Sequence, residues 1–310
     1  MTEINMKVKR LFLISVGIIF ILSTITINND ILRIGNKTSS TSTIYKQNLK
    51  ISAISVKIHI NNNWSDAKTA GICIGDGTES NPYLIEDLEI DGGGVGSCIL
   101  VENTSEYFII QNCSLSNCGS DTYDAGIKLI SVNHGTLHNN RVTSPNAYGI
   151  ILHECIDNVV SLNYFIGKNG LRFFASNSNV IYLNDNHQTN LMGFEYRWSV
   201  NNRFRTPTKM KYIYNSRTFT KYLGNHWGGY QGEDNNNDGI GDEPVIMDQH
   251  LPSSQWIYTD YHPLIAPISN YQIIGEAPSE NIPSYNTILI IATISITTLI
   301  LLKKLKNLKI

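Results

Sequence analysis

Between Ile99 and about Asn190 the chain repeats one short unit four times. Ile99, Ile127, Ile150 and Leu171 anchor the copies, and thirteen residues after each anchor stands an asparagine: Asn112, Asn140, Asn163 and Asn184. Ten residues after each anchor the side chain is apolar (Ile109, Leu137, Val160, Ile181), and so it is two residues after (Val101, Leu129, Leu152, Phe173). Successive anchors lie 28, 23 and 21 residues apart. Fixed inner spacing with variable outer spacing means constant geometry inside each unit and a loop that absorbs insertions, here Gly119–Asp124.

A period in the low twenties, with strand patterning and no helical pattern, belongs to a solenoid. Helical repeats need thirty or more residues, and leucine-rich repeats a denser leucine pattern. What is left is an all-β parallel β-helix, in which coil stacks on coil at about 4.8 Å. The anchor and the residue two later then point inward, because side chains alternate along a strand. The asparagine falls at a corner, where it tolerates a left-handed backbone and can hydrogen-bond along the column as a ladder.

The flanks divide the chain. Lys7, Lys9 and Arg10 precede the apolar run Leu11–Ile27, so residues 1–28 read as a signal peptide or uncleaved anchor that exports the chain beyond it. Residues 29–50, rich in Ser, Thr and Asn, read as a disordered linker. Residues 51–98 should supply an N-terminal cap and first coil, starting with a strand through Ile54, Val56, Ile58 and Ile60. Residues 99–190 carry the repeats and 191–276 the terminal coils and cap, with Phe194 a candidate fifth anchor, Phe204 at its plus-ten place and Pro207 at the asparagine position. A linker, 277–286, leads to the charge-free run Thr287–Leu302, read as a transmembrane helix, and residues 303–310 form a lysine-rich cytoplasmic tail. The bulk of the chain is thus expected outside the cell, held at the membrane. A net charge of −2 gives no field to recruit nucleic acid. Five cysteines, an odd number, do not spell a disulfide framework, and buried thiols are the expectation.

The stretch GDGTESNPYLIEDLEIDGGGVGSCILVENTSEYFIIQNCSL, with LGNHWGGYQGEDNNNDGIGDEPVI and the later DYHPL, resembles right-handed parallel β-helix proteins of the NosD type, within the pectin lyase-like superfamily. The resemblance covers roughly Ile72–Leu264 and implies a right-handed solenoid in a prokaryotic surface setting. It implies little about activity, because such repeats are shared by lyases, hydrolases, copper-centre assembly proteins and many uncharacterised surface proteins.

The sharpest chemical signal is Asp234-Asn235-Asn236-Asn237-Asp238-Gly239-Ile240-Gly241-Asp242, which fits D-x-[DN]-x-[DN]-G. Asp234, Asn236, Asp238 and Asp242 would offer side-chain oxygens and Ile240 its carbonyl to Ca²⁺; Val245 stands where an EF-hand has its bidentate glutamate, so the loop is of the weak repeat kind. An Asx-rich turn needing no ion is the alternative. For catalysis, the outward face of the first strand column carries Leu100, Lys128, Ile151 and Arg172 one residue after the anchors, and Glu102, Ile130, His153 and Phe174 three after. Lys128, His153 and Arg172 suit an acidic sugar, but the clustered acids of a lyase calcium site and the paired carboxylates of a hydrolase are missing. For copper, His134, His138, His153 and His187 sit at different repeat offsets and predict no cluster. Sequons stand at Asn36, Asn63, Asn103 and Asn112, the last a poor acceptor if it belongs to the ladder.

The sequence therefore predicts a membrane-anchored extracellular solenoid, non-enzymatic, that binds glycans or envelope proteins. The rivals are a polysaccharide lyase or hydrolase, separated by whether Lys128, His153 and Arg172 line an open groove or lie under a loop, and a NosD-like accessory protein for copper-centre assembly.

Overall fold

The computed structural model describes residues 53–187, 199–247 and 259–276. The repeats form a parallel β-solenoid with three walls. In the first wall Ile58, Ile99, Ile127, Ile150 and Leu171 stand in register. In the second the column is Ile85, Ile110, Leu137, Val160 and Ile181. In the third it is Ile90, Leu115, Val142, Phe165, Asn186 and Trp227. Apart from Asn186 these side chains fill one continuous apolar core. Alternation along each strand is enough to aim them there.

The first coil departs from the expected spacing by one residue. Thr104 still pairs with Val132, but Phe108 pairs with Gly135, so the corner between Thr104 and Phe108 holds one residue more than its neighbour. Ile110, not Ile109, is therefore the inward residue. Asn112 pairs off with Asn139 instead of joining the ladder: both have positive φ, 55° and 52°, and Asn139 Nδ2 donates to Asn112 Oδ1 at 2.8 Å. Cys113 takes the ladder place, its N–H donating to Asn140 Oδ1.

From Asn140 the ladder runs as expected and then beyond the repeats. Backbone and side-chain N–H groups of Asn140 donate to Asn163 Oδ1 at 3.0 Å, those of Asn163 to Asn184 Oδ1, and those of Asn184 to Asn225 Oδ1. Asn225 donates in turn to Asp260 Oδ2. The left-handed corner residue is the one before each ladder asparagine in the repeats, Asn139, Leu162 and Leu183. So the ladder asparagines are required by hydrogen bonding and not by backbone conformation. A second ladder, Asn158–Asn179–Asn202, climbs another corner. Replacing Asn163 with Val should leave the Asn140 donors and the Leu137 carbonyl it now serves unpaired, costing ~1–3 kcal/mol. Asn235→Ala, on an exposed loop, should cost far less, and thermal melts of the full chain compare the two; equal shifts would deny the ladder its role.

Both ends of the solenoid are closed. The expected N-terminal strand breaks in two, Ala53–Ser55 and Ile58–Asn61, and Val56 at the break is 81% exposed. A short helix, Trp64–Thr69, comes next, and Trp64 stacks on Tyr83 at 4.8 Å and donates to Thr104 Oγ1. At the other end Met210–Tyr214, Arg217–Lys221 and Gln272–Glu276 form an antiparallel sheet. This cap is an insertion: Phe204 lies beside Arg203, which pairs with Val180 at the plus-ten level, but the asparagine position falls to Asn225, not Pro207, after the hairpin has gone out and back. Phe194 lies outside the described residues.

Cys73, Cys113 and Cys155 are buried thiols as expected, and burial pushes the Cys155 thiol up to about 12. Cys98 and Cys118 instead form a disulfide across adjacent coils. Their separation of 20 residues is one coil, which brings their Cα atoms to 5.6 Å, a proximity hidden as long as the cysteines are compared within one coil. Among the described residues no helix is long and apolar enough to cross a membrane; Leu11–Ile27 and Thr287–Leu302 lie outside them.

Candidate metal centre

The third wall carries an outward column beside its core column: Ser114, Arg141, Tyr164, Asp185 and His226 in register. Its last two members come directly after the ladder residues Asn184 and Asn225, so the buried ladder fixes where they stand. His187, two residues beyond Asp185, points the same way and is held by its N–H to Phe165 O at 3.2 Å. The three side chains converge. Asp185 Oδ1 lies 2.5 Å from His226 Nδ1 and 3.2 Å from His187 Nε2. One donor atom from each lies within 4.8 Å of the others. Asp185 and His226 are buried, while the His187 side chain is 35% exposed, so the cluster is open on one side. Tyr164 packs its ring on His187 at 4.7 Å and carries the Arg141 guanidinium at 4.2 Å. Two imidazoles and a carboxylate in such reach can hold one borderline divalent metal ion.

The histidines expected to stay apart do so, except His187. His134 stacks on Tyr107, His138 meets Ser161 Oγ at 3.0 Å, and His153 meets the edge of Phe174. The expectation of no cluster fails because His226 has to be counted, and it stands 41 residues from Asp185 across the cap hairpin.

Lys128, Ile151 and Arg172 share the expected outward column, with Glu102, Ile130, His153 and Phe174 beside it. They do not line an open groove. Arg172 is buried beneath the loop 119–124, donating to Thr122 O at 2.7 Å and lying 4.6 Å from the Tyr123 ring and 5.4 Å from Tyr148. Lys128 Nζ stands 6.0 Å from the same Tyr123. These cations pack a loop against the wall.

In the loop 234–242 the carboxylates turn onto their own backbone. Asp234 accepts the N–H groups of Asp238 and Gly239, and Asp238 accepts that of Ile240. Asp242 accepts from Asn235, and the Lys221 ammonium pairs with Asp238. Asn236, Asp238, Ile240 and Asp242 line one cavity; Asp234 does not.

Residues 21–232 match the family model described as "Periplasmic copper-binding protein (NosD)". The chain belongs to the NosD family. No curated protein and no solved structure matches it. The two NosD-type motifs of the C-terminal part now have physical content. In LGNHWGGY, Asn225 extends the ladder, His226 completes the metal cluster, and Trp227 fills the core and donates to Asp260. In DYHPL, Asp260 ends the ladder and Leu264 is buried in the cap cluster. His226 lies within the matched span and Asp260 beyond it.

Proposed function

We propose that this NosD-family chain is an exported, non-enzymatic metal-binding solenoid that holds copper at Asp185, His187 and His226. The observation that carries the reading is the convergence of those three donors on one outward face. An ion about 2.0–2.2 Å from each ligand needs donor separations up to roughly 4.4 Å, within a small side-chain adjustment of what stands there. Imidazole and carboxylate suit copper(II), nickel or zinc, and copper(II) binds tightest of the divalent series at a given site. Three protein ligands with one open side describe a site that exchanges its ion, unlike a closed structural centre. The family's description as a periplasmic copper-binding protein supports both the metal and the side of the membrane. Tethering at the membrane rests on the two apolar runs of the sequence and belongs to the same proposal.

The test is a titration of the full chain with Cu²⁺, read by calorimetry and by the electron-spin resonance of the bound ion. One equivalent should bind, with nitrogen hyperfine structure. His226→Ala and His187→Ala should each weaken it by about 100-fold, the order expected when a direct ligand goes, since loss of outer partners alone costs 10–100-fold. Wild-type affinity in both variants would sink the proposal. Calcium in the loop 234–242 is a second metal reading, favoured by the four of its five expected ligands that line one cavity. A Ca²⁺ arm of the same titration reports on it, with Asp238→Ala as its variant. Any ion there has to displace Lys221 from Asp238.

A further inference from the structure

The cavity beside that loop offers more than an ion site. It encloses about 430 Å³ between the cap hairpin and the loop, lined by Lys209, Thr220, Lys221, Tyr222, Asn236 and Asp242 among others. That is room for a sugar ring or two and far more than one ion requires. Its acids are already engaged: Asp238 by Lys221 and by the Ile240 N–H, Asp242 by Asn235. Its cations are less so. Lys209 is exposed and has no carboxylate partner among the described residues. Arg205, behind the wall, has its guanidinium 3.9 Å from the Tyr222 ring. His262, which also lines the cavity, is held below the ordinary histidine range by burial and by the positive fields of Arg205 and Lys221, so the local potential is positive.

The remaining chemistry is that of a hydroxylated ligand. Thr220, Asn236 and Asp242 present donors and acceptors of both kinds, and Tyr222 and Ile240 offer apolar surface. A lone inorganic anion would use the cations and waste the rest. A neutral sugar would leave Lys209 and Arg205 without a counter-charge. We infer that the cap cavity, lined by Lys209, Lys221, Tyr222 and Asn236, binds a uronate-type sugar, its carboxylate facing the cations and its hydroxyls facing Asn236, Asp242 and Thr220. This site is separate from the Asp185–His187–His226 cluster and does not depend on it.

The full chain, purified in detergent, is titrated calorimetrically with galacturonate oligosaccharides, with neutral galactose oligosaccharides of the same length, and with inorganic phosphate. The acidic oligosaccharide should bind at least about tenfold more tightly than either of the others, by the loss of affinity that an unmatched charge brings. Lys209→Ala, on an exposed side chain, should weaken the acidic sugar by about tenfold or more while leaving the melting temperature unchanged. Arg205→Ala should do the same through the field at Tyr222, and Lys209→Glu serves if loss of the Arg205 stack disturbs the cap. Equal binding of the neutral oligosaccharide would overturn the inference. So would phosphate binding as tightly as the sugar, which would mark an adventitious ion only, and so would the absence of binding by the acidic probe at millimolar concentration.

Discussion

Asp260→Ala should lower the melting temperature by about 10–20 °C, the shift that some 4–6 kcal/mol produces in a domain of this size. Asp260 is fully buried and collects the end of the long ladder. Its Oδ2 accepts from the Asn225 backbone N–H, from Asn225 Nδ2 and from Trp227 Nε1, and its Oδ1 accepts from the His262 N–H. Alanine removes every acceptor and strands donors that water cannot reach. The same residue predicts a pH dependence. Burial raises its pKa from the ordinary value to about 6, against the opposing pull of the four donors. The folded chain therefore holds a proton that the unfolded chain releases near pH 4, and the stability tied to it is full below that and is lost as pH rises through about 6. Melts at pH 5 and pH 7 should show this slope in the wild type and lack it in Asp260→Asn. Identical slopes would remove Asp260 from the account.

Gly149→Val should do at least as much damage, by steric means. Gly126, Gly149 and Gly170 each stand directly before an anchor, at the entry to the first wall. A Cβ on Gly149 would come within 2.3 Å of Phe165 Cδ1 and 2.6 Å of the Gly170 carbonyl oxygen. The second contact is backbone of the next coil, and it cannot give without prising the stack apart. Overpacking of this kind costs ~1–3 kcal/mol or more even for small additions, so Val should leave little folded protein at room temperature and Ala should already be measurably worse. Gly93→Ala is the comparison. Its φ of 66° is unsuited to alanine but nothing lies within 4 Å, so only the backbone cost of about 1–2 kcal/mol applies. A Gly149→Ala chain as stable as Gly93→Ala would refute the column.

The solenoid is legible in the sequence because its determinants are local and periodic. The anchors Ile127, Ile150 and Leu171 and the asparagines Asn140, Asn163 and Asn184 stack as counted, since equal inner spacing leaves no other register. The first coil slips from that count by one residue because a corner insertion after Thr104 moves everything behind it, and Asn112 next to Cys113 offers a false continuation. The metal cluster is invisible to offsets measured from the strand anchors. It becomes visible once Asn225 is recognised as the next ladder residue after Asn184. Then His226 and Asp185 both stand one place past the ladder, and His187 stands three past it on the same face. What conceals this is the hairpin Met210–Lys221, inserted between two neighbouring coils. The disulfide Cys98–Cys118 is hidden likewise, since its partners meet between coils and not along one.

That the ladder is completed by a residue so near the C-terminal end has a consequence for biogenesis. A chain exported from its N-terminus emerges coil by coil, and each new coil supplies the acceptor for the amides of the one before. Every intermediate length thus ends in a coil whose asparagine donors and strand edges face nothing, which is the surface that another chain can pair with. The last acceptor crosses the membrane only with Asp260. Until then the secreted portion depends on chaperones or on speed, and a chain stopped before residue 260 should accumulate as aggregates or be degraded rather than persist as a shorter solenoid.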